Sequence, residues 1–413
     1  MPQAVSLAPQ VDPLARLLSS RAHAVKPSAS NAAAQRAREL VASGRKIVNL
    51  TVGEPDFETP DNIKEAGIAA IRAGKTRYTT VDGTVELKEA IKSKFLRENN
   101  LAFATEEISV ACGAKHIIFN AFLATIDASD EVVIPAPHWV SYPEMVRFAG
   151  GNPVIVSCPQ AQRFKLRPEQ LEAAITPRTK WLVLNAPGNP AGNMYSAAEL
   201  TALGEVLRRH PHVWILSDDI YEHITYGVTT FSTMALAVPD LRERTLTING
   251  VSKAYCMTGW RIGFAAGPKG LIKEMAKIQS QSTSSPSAIS QAAATEALNG
   301  PQHHVGEHAR EFAHRMKLVS AEFAKIPELD CAVPEGAFYL FPSCAKVIGK
   351  KSSAGTVIRT DFDMVDHLLN FGVATVSGTP FGMAPHFRIS IAASEPALLE
   401  GCRQIAAACA DLG

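Results

Sequence analysis

RTLTINGVSKAYCMTGWRIG, residues 244–263, carries a short β-branched apolar run into a turn that bears Lys253 and, eight positions later, Arg261. The same arrangement recurs from about residue 107 onward. EISVACGAKHIIFNAFLATI (107–126) reads as strand, glycine turn and helix, and EVVIPAPHWVSYPEM (131–145) as strand, proline turn and aromatic. KWLVLNAPGNPAG (180–192) is a strand ending in Asn, Pro and Gly, and VWILSDDIYEHI (213–224) a strand ending in two acids. Apolar runs of this kind are strands buried on both faces, as in a mostly parallel sheet flanked by helices. In such sheets ligands bind outside the carboxyl ends of the strands, which is where the unusual residues of this chain lie.

The flanks read differently. NAAAQRARELVASGRK (31–46) is helical, GPQHHVGEHAREFAHRMKLVSAEFAKI (300–326) reads as a long, largely exposed helix, and GAFYLFP, DMVDHLLNFG and FRISIAAS alternate short strands with helix. The expected architecture is α/β: a three-layer αβα large domain with a mostly parallel sheet, and a smaller α+β domain built from both chain ends. The expected boundaries are an N-terminal arm, flexible and followed by a short helix, over 1–25, small-domain segments at 26–50 and 301–413, and the large domain at 51–300.

The 413 residues are 46% hydrophobic and 20% charged, the composition of a soluble globular protein. A formal net charge of +1 gives no footprint for nucleic acid or an anionic membrane. No apolar run approaches the ~18 residues of a membrane helix. The seven cysteines form no CxxC pair, which argues against a disulfide framework or thiolate metal site and for a reducing, cytoplasmic compartment. His304 and His308 stand at i, i+4 with no third ligand evident nearby, so no metal is expected and the pair reads as a solvated helix face. No glycine series has nucleotide-binding spacing.

The chemistry starts at Lys253. A lysine amine adds to a carbonyl, which suits it to anchor an aldehyde cofactor. Gly250 and Gly259 allow close backbone approach, Ser252 adds a hydroxyl, and Arg261 supplies a forked donor for a phosphate. Lysine plus phosphate clamp suggests pyridoxal 5′-phosphate (PLP). That cofactor needs a buried carboxylate against its pyridine nitrogen, offered by Asp218 or Asp219, one of which is expected to cap the next helix. It also needs donors to its 3′-oxygen (Tyr221, Asn189), an aromatic face (Trp139) and backbone N–H groups for its phosphate, which the CGAKH turn supplies.

Seven stretches in order, GEPDFETP (53–60), GKTRYTTVDG (74–83), APHWVSYPEM (136–145), NAPGNPAG (185–192), SDDIYE (217–222), SKAYCMTGWRIG (252–263) and FRIS (387–390), resemble the class I aminotransferases of PLP fold-type I. Within them the chain is similar to the bacterial aspartate aminotransferase subgroup Ib, over about residues 26–410. The resemblance implies that Lys253 binds the cofactor and moves the substrate α-proton, and that Asp218 faces the pyridine nitrogen. Tyr221 and Asn189 would donate to the 3′-oxygen, with Trp139 stacked on the ring. Arg261, Ser252 and the turn at Gly113, Ala114 and Lys115 would hold the phosphate. Tyr78 would reach the cofactor of a neighbouring subunit, which implies a homodimer with shared sites. Arg388 and Gly53 would grip the substrate α-carboxylate, with Asn189 and Trp139 beside it. Lys115, Ser28 and Ser30 would receive a side-chain carboxylate.

The implied reaction is ping-pong transfer of an amino group from aspartate or glutamate to oxaloacetate or 2-oxoglutarate. Aromatic amino acids or prephenate are alternative substrates. The same fold hosts β-lyases, against which Lys115 argues. The chain departs from the family pattern at Cys256, read as a packing variant, at Gly188 and Ala191, at His138, read as structural, and in VSGTPFG (376–382).

Overall fold

The computed structural model describes residues 17–227 and 229–413. After a short strand β1 (Val48–Asn49), seven strands form the central sheet: β2 (Ile108–Ala111), β3 (Glu131–Ala136), β4 (Asn152–Ser157), β5 (Thr179–Asn185), β6 (Trp214–Asp218), β7 (Thr245–Gly250) and β8 (Gly263–Ala266). Their order is β2-β8-β7-β6-β5-β3-β4. Only β8 runs against its neighbours; the other pairings are parallel. The short link from β7 to β8, which holds Lys253, permits antiparallel pairing, whereas β5 reaches β6 through the helix Ala197–Arg209.

Successive side chains of a strand point to opposite faces, so each sheet face feeds a separate core. Trp181, Val183, Leu216 and Ile248 pack with Ile118, Phe122, Ile272 and Met275 of the helices Ala114–Thr125 and Lys269–Ser280. Leu182, Leu184 and Ile215 pack with Leu200, Leu203 and Leu207 on the other side. The outcome is a helix–sheet–helix sandwich, as expected. β2, β7 and β8 are wholly buried, the threonines and Asn249 of β7 included, while edge strand β4 alternates towards solvent.

Two smaller sheets follow: β9 (Tyr339–Leu340), β11 (Val376–Ser377) and β12 (Phe387–Ser390) in the order β11-β12-β9, and β10 (Val373–Ala374) paired with β1. Their core joins Leu50 from the N-terminal part to Phe312, Phe338, Phe387 and Ile405 from the C-terminal part, and Tyr221 packs into it. The helix His303–Phe323 supplies Phe312, Met316, Val319 and Phe323 to that core, so the expectation of a largely exposed helix is corrected. The charge-rich stretch hides an apolar stripe at i, i+4, i+7. The arm expected over 1–25 lies outside the described residues up to 16. The helix Ser20–Ala24, capped by Ser19, follows it. Among the described residues no helix is long and apolar enough to cross a membrane.

Candidate active site

A cavity of about 470 Å³ opens beyond the carboxyl ends of β5, β6 and β7. Every residue given a role by the family resemblance borders it except Gly113 and Tyr78. The strands explain this convergence. Asn185 and Asp218 are directly paired as the last residues of β5 and β6, and Lys253 follows the end of β7 by three residues.

Lys253 points its amine into the cavity, where Nζ donates to the Gly53 carbonyl at 2.5 Å. Burial lowers its pKa to about 8, against a counter-pull from Glu54 and with help from the charges of Arg388 and Arg261. A neutral amine is therefore accessible near physiological pH. Arg388 ends two residues away on the same backbone segment: Nη2 donates to the Thr51 carbonyl at 2.6 Å and Nη1 to Asn189 Oδ1 at 3.1 Å. Its guanidinium lies over Tyr339, 4.6 Å from the ring centroid, and its buried Nε has no partner among the described residues. Arg388 borders the cavity, and a guanidinium with an unpaired buried donor fits a carboxylate ligand there.

Asp218 accepts at Oδ2 from the Tyr142 hydroxyl at 2.5 Å and at Oδ1 from the Ile220 amide at 3.3 Å. Burial pushes its carboxyl up to about 6 despite those bonds. A cationic ring nitrogen is the kind of partner that would hold it ionised. Asp219 turns elsewhere, accepting from Ser217 Oγ at 2.8 Å, and does not border the cavity. Neither acid caps a helix by its side chain, because Asp218 is followed by turns; that expectation is corrected. The Tyr221 hydroxyl meets that of Tyr339 at 3.0 Å.

At the other end, Arg261 adopts a left-handed backbone (φ 57°) and donates to the carbonyls of Thr258 at 2.7 Å and Cys112 at 3.3 Å. This draws it against the start of the helix Ala114–Thr125. A Cβ on Gly113 would lie 2.4 Å from Arg261 Nη2, and one on Gly263 only 2.0 Å from the Ala114 amide nitrogen. Glycine is thus required at both positions to bring the helix terminus and guanidinium together, a cradle suited to a phosphate. A Cβ on Gly259, by contrast, would meet nothing within 4 Å, so close approach is not its reason for being glycine. Ser252, buried, borders the same cavity.

Lys115 holds its Nζ 4.8 Å from the Trp139 ring centroid, and burial and the Arg261 charge lower its pKa. Ser28 caps the helix Ala29–Ala42, accepting from the Asn31 amide at 3.4 Å, while Ser30 Oγ is buried without a partner among the described residues. Tyr78 is 90% exposed and does not reach the cavity of its own chain.

Sequence reasoning missed Tyr142, Tyr339, Thr51 and Asn185, whose amide donates to the Asp218 carbonyl at 2.9 Å. The signal for Tyr142 was its place three residues after Trp139, in the first turn of the helix Ser141–Phe148; Tyr339 had none beyond an aromatic strand. Cys256 packs its Sγ 3.5 Å from His308 Nδ1, burial raises its thiol to about 12, and His308 stacks on Phe57 at 4.2 Å. His304 packs edge-on against Tyr255 and is buried, which corrects the reading of the histidine pair as a solvated face. His138 is buried against the Trp139 carbonyl (3.1 Å), and burial lowers its pKa to about 4. A Cβ on Gly188 would lie 2.4 Å from Asn193 Oδ1 and 3.0 Å from the Asn185 carbonyl oxygen, so the site is closed to a side chain unless Asn193 moves. Thr379 bonds the Asp361 carboxylate through its amide and its hydroxyl, both at 2.7 Å.

The model of the aminotransferase class I and II family matches residues 45–405. An aspartate/prephenate aminotransferase of Cereibacter sphaeroides is 54% identical over 389 residues, covering 94% of this chain and 97% of that protein. An aspartate aminotransferase of Rhizobium meliloti is 54% identical over 375 residues, covering 91% and 92%. Among solved structures, an aspartate aminotransferase from Rhizobium meliloti superposes with a TM-score of 0.93 at 52% identity, covering 96% of this chain and 99% of that one. The aspartate aminotransferase of Thermus thermophilus with maleate gives 0.88 at 42% identity, covering 95% and 99%.

Proposed function

This chain belongs to the class I and II aminotransferases, and we propose that it is a PLP-dependent enzyme moving the amino group of aspartate or glutamate to oxaloacetate or 2-oxoglutarate. The observation that carries this is the shared segment 51–53: its carbonyls at Thr51 and Gly53 receive the Arg388 guanidinium and the Lys253 amine, which places an acid grip beside a proton carrier.

The residues fit PLP: an amine, a buried carboxylate, phenol and amide groups, and a glycine-cleared helix terminus beside an arginine. Lys253 would hold its aldehyde carbon, Asp218 its pyridine nitrogen, Tyr221 and Asn189 its 3′-oxygen and Trp139 its ring face. Arg261, Ser252 and the Gly113–Ala114 turn, with Lys115 adjoining, would hold its phosphate. When bound, the cofactor accepts the electrons left on the substrate α-carbon after proton removal. Lys253, neutral above about pH 8, would take that proton and return it to the carbon of the cofactor's aldehyde, across the substrate nitrogen. Asp218, fixed by Tyr142, keeps the pyridine nitrogen protonated. Arg388 clamps the α-carboxylate with its fork, assisted by the Gly53 backbone. Lys115, with Ser28 and Ser30 opposite, faces a side-chain carboxylate. An amino acid in the first half-reaction and an oxoacid in the second, each leaving as its counterpart before the other enters, give ping-pong kinetics.

A second reading widens the acceptor to prephenate or an aromatic oxoacid. The Cereibacter sphaeroides relative carries both activities in its name, and prephenate is itself a dicarboxylate. Elimination chemistry is disfavoured by the placement of Lys115. We further read the chain as a cytoplasmic homodimer, with Tyr78 reaching the partner's phosphate, and divide it at 26–50, 51–300 and 301–413. Lys253→Ala should lose borohydride-dependent labelling by PLP and nearly all turnover. Retention of both would overturn the assignment. A panel of amino donors in which no dicarboxylate is converted would overturn the substrate class.

A further inference from the structure

Outside the cavity, three buried side chains converge on the carboxylate of Glu222. Its Oε1 accepts from Lys94 Nζ and, at 2.8 Å, from Asn249 Nδ2, while Oε2 accepts from Asn99 Nδ2 at 2.7 Å. Lys94 also donates to Asn99 Oδ1 at 2.7 Å, and its side chain is 1% exposed. On the rim, Glu98 lies 3.5 Å from Lys94 Nζ and 2.9 Å from His223 Nε2. The carboxylates of Glu98 and Glu222 and the His223 ring are close enough to suggest a metal, but the Lys94 ammonium already sits among them.

The location gives the cluster its meaning. Glu222 directly follows Tyr221, on the turn that leaves β6 with Asp218. Asn249 is the penultimate residue of β7, four before Lys253, and its Oδ1 accepts from the Gly250 amide at 2.8 Å. The ladder between β6 and β7 ends at Asp218 and Ile248, with one further bond from the Asp219 amide to the Ile248 carbonyl at 2.9 Å. Beyond it, among the described residues, the hydrogen bond joining the two turns is the one from Asn249 to Glu222. A buried ion pair adds little net stability, since desolvation offsets its attraction, and an apolar replacement is often as stable. Stability alone therefore does not account for it.

We propose that Glu222, neutralised by Lys94, is a positioning residue: through Asn249 it fixes the turn of Ser252 and Lys253 against the turn of Asp218 and Tyr221. The proposal rests on the reading of Lys253 as the cofactor lysine. Without the tie, among the described residues, the two turns would share no hydrogen bond beyond the strand ladder behind them, and packing contacts such as that of the His223 and Tyr255 rings would remain. Misplacement of about 1 Å at a reacting group lowers rates by roughly 100-fold.

The test uses the full-length, PLP-loaded enzyme and two variants, Lys94→Met/Glu222→Met and Asn249→Ala. First, borohydride reduction of wild type must place PLP on Lys253; if it does not, the cofactor reading falls. With that established, three quantities are measured for each variant: melting temperature, the pH midpoint of the visible absorbance of lysine-bound PLP, and kcat against KM. The expected result is folded protein in which that midpoint moves by at least ~0.5 pH unit and kcat falls ~10-fold or more with KM changed less. Asn249→Ala leaves the ion pair in place, so it decides the matter if the double variant fails to fold. Wild-type midpoint and kcat in Asn249→Ala would overturn the proposal, whatever the double variant does.

Discussion

Lys115→Met separates the two tasks that meet at one side chain. Its Nζ lies 4.8 Å from the Trp139 ring centroid and borders the cavity beside Ser28. Methionine keeps the apolar stem and removes the charge. Loss of the cation–ring contact costs about 0.5–1 kcal/mol, which lowers catalysis on every donor by ~2–5-fold. Loss of a charge-assisted bond to a substrate carboxylate costs a further ~1.5–3 kcal/mol, or ~10–150-fold, and falls on dicarboxylates alone. Aspartate kcat/KM should therefore drop at least ~20-fold while that of phenylalanine drops ~5-fold or less. In a ping-pong reaction the donor's kcat/KM reports the first half-reaction only, so the oxoacid acceptor does not blur the comparison. Steady-state rates for both donors, with melting temperature as a control on folding, give the ratio directly. An equal loss on both donors refutes the reasoning and leaves Lys115 a support for the cofactor and Trp139 only.

Two further predictions concern the fold that receives the cofactor. Lys253 is lowered from 10.5 to about 8 in the fold, so between those pH values the unfolded chain binds more protons and stability rises with pH, by at most about 3 kcal/mol. Asp218, raised from 3.8 to about 6, works oppositely, its contribution falling with pH between those values. Urea unfolding of cofactor-free protein from pH 8 to 10 should show the rise in wild type and its loss in Lys253→Ala; equal slopes would contradict the burial of the amine. Gly263→Ala places a Cβ 2.0 Å from the Ala114 nitrogen, and backbone cannot yield as a side chain would. It should cost roughly 1–3 kcal/mol or more and weaken PLP binding more than a substitution at the open Gly259, measured by thermal melting and cofactor titration.

The strand ends were the legible part of the sequence, because a buried parallel strand is an apolar run and topology exposes the residues just past its carboxyl end to the cavity. Lys253, Asp218, Tyr221 and Asn189 belong together on that rule alone. Tyr142 and Tyr339 do not, since each acts through a partner distant in sequence: the Tyr142 hydroxyl bonds Asp218 and the Tyr339 hydroxyl faces Tyr221. The buried face of the helix His303–Phe323 was masked for a related reason. Its histidines, arginines and acids dominate composition, but Arg315 is itself buried, bonding Asp56 at 2.7 Å and Glu311 at 2.8 Å. Charge counting cannot see a paired, buried arginine.

The glycines carry a different lesson about the same site. Gly250, Gly259 and Gly263 look alike as text, yet an added Cβ would meet Gly263 Cα at 3.1 Å at the first, nothing at the second and backbone at 2.0 Å at the third. The requirement at Gly263 comes from Gly113 and Ala114, some 150 residues earlier, where β2 gives way to a helix and pairs with β8. β2 runs in the same direction as β7, so its helix starts on the side of the Lys253 turn, and antiparallel β8 begins on that side too. A sheet parallel throughout would run that strand the other way and place its own end, instead of its beginning, beside the cavity. The one reversed strand thus explains why Arg261, at its mouth, borders the same cavity as the Ala114 amide and the amine of Lys253.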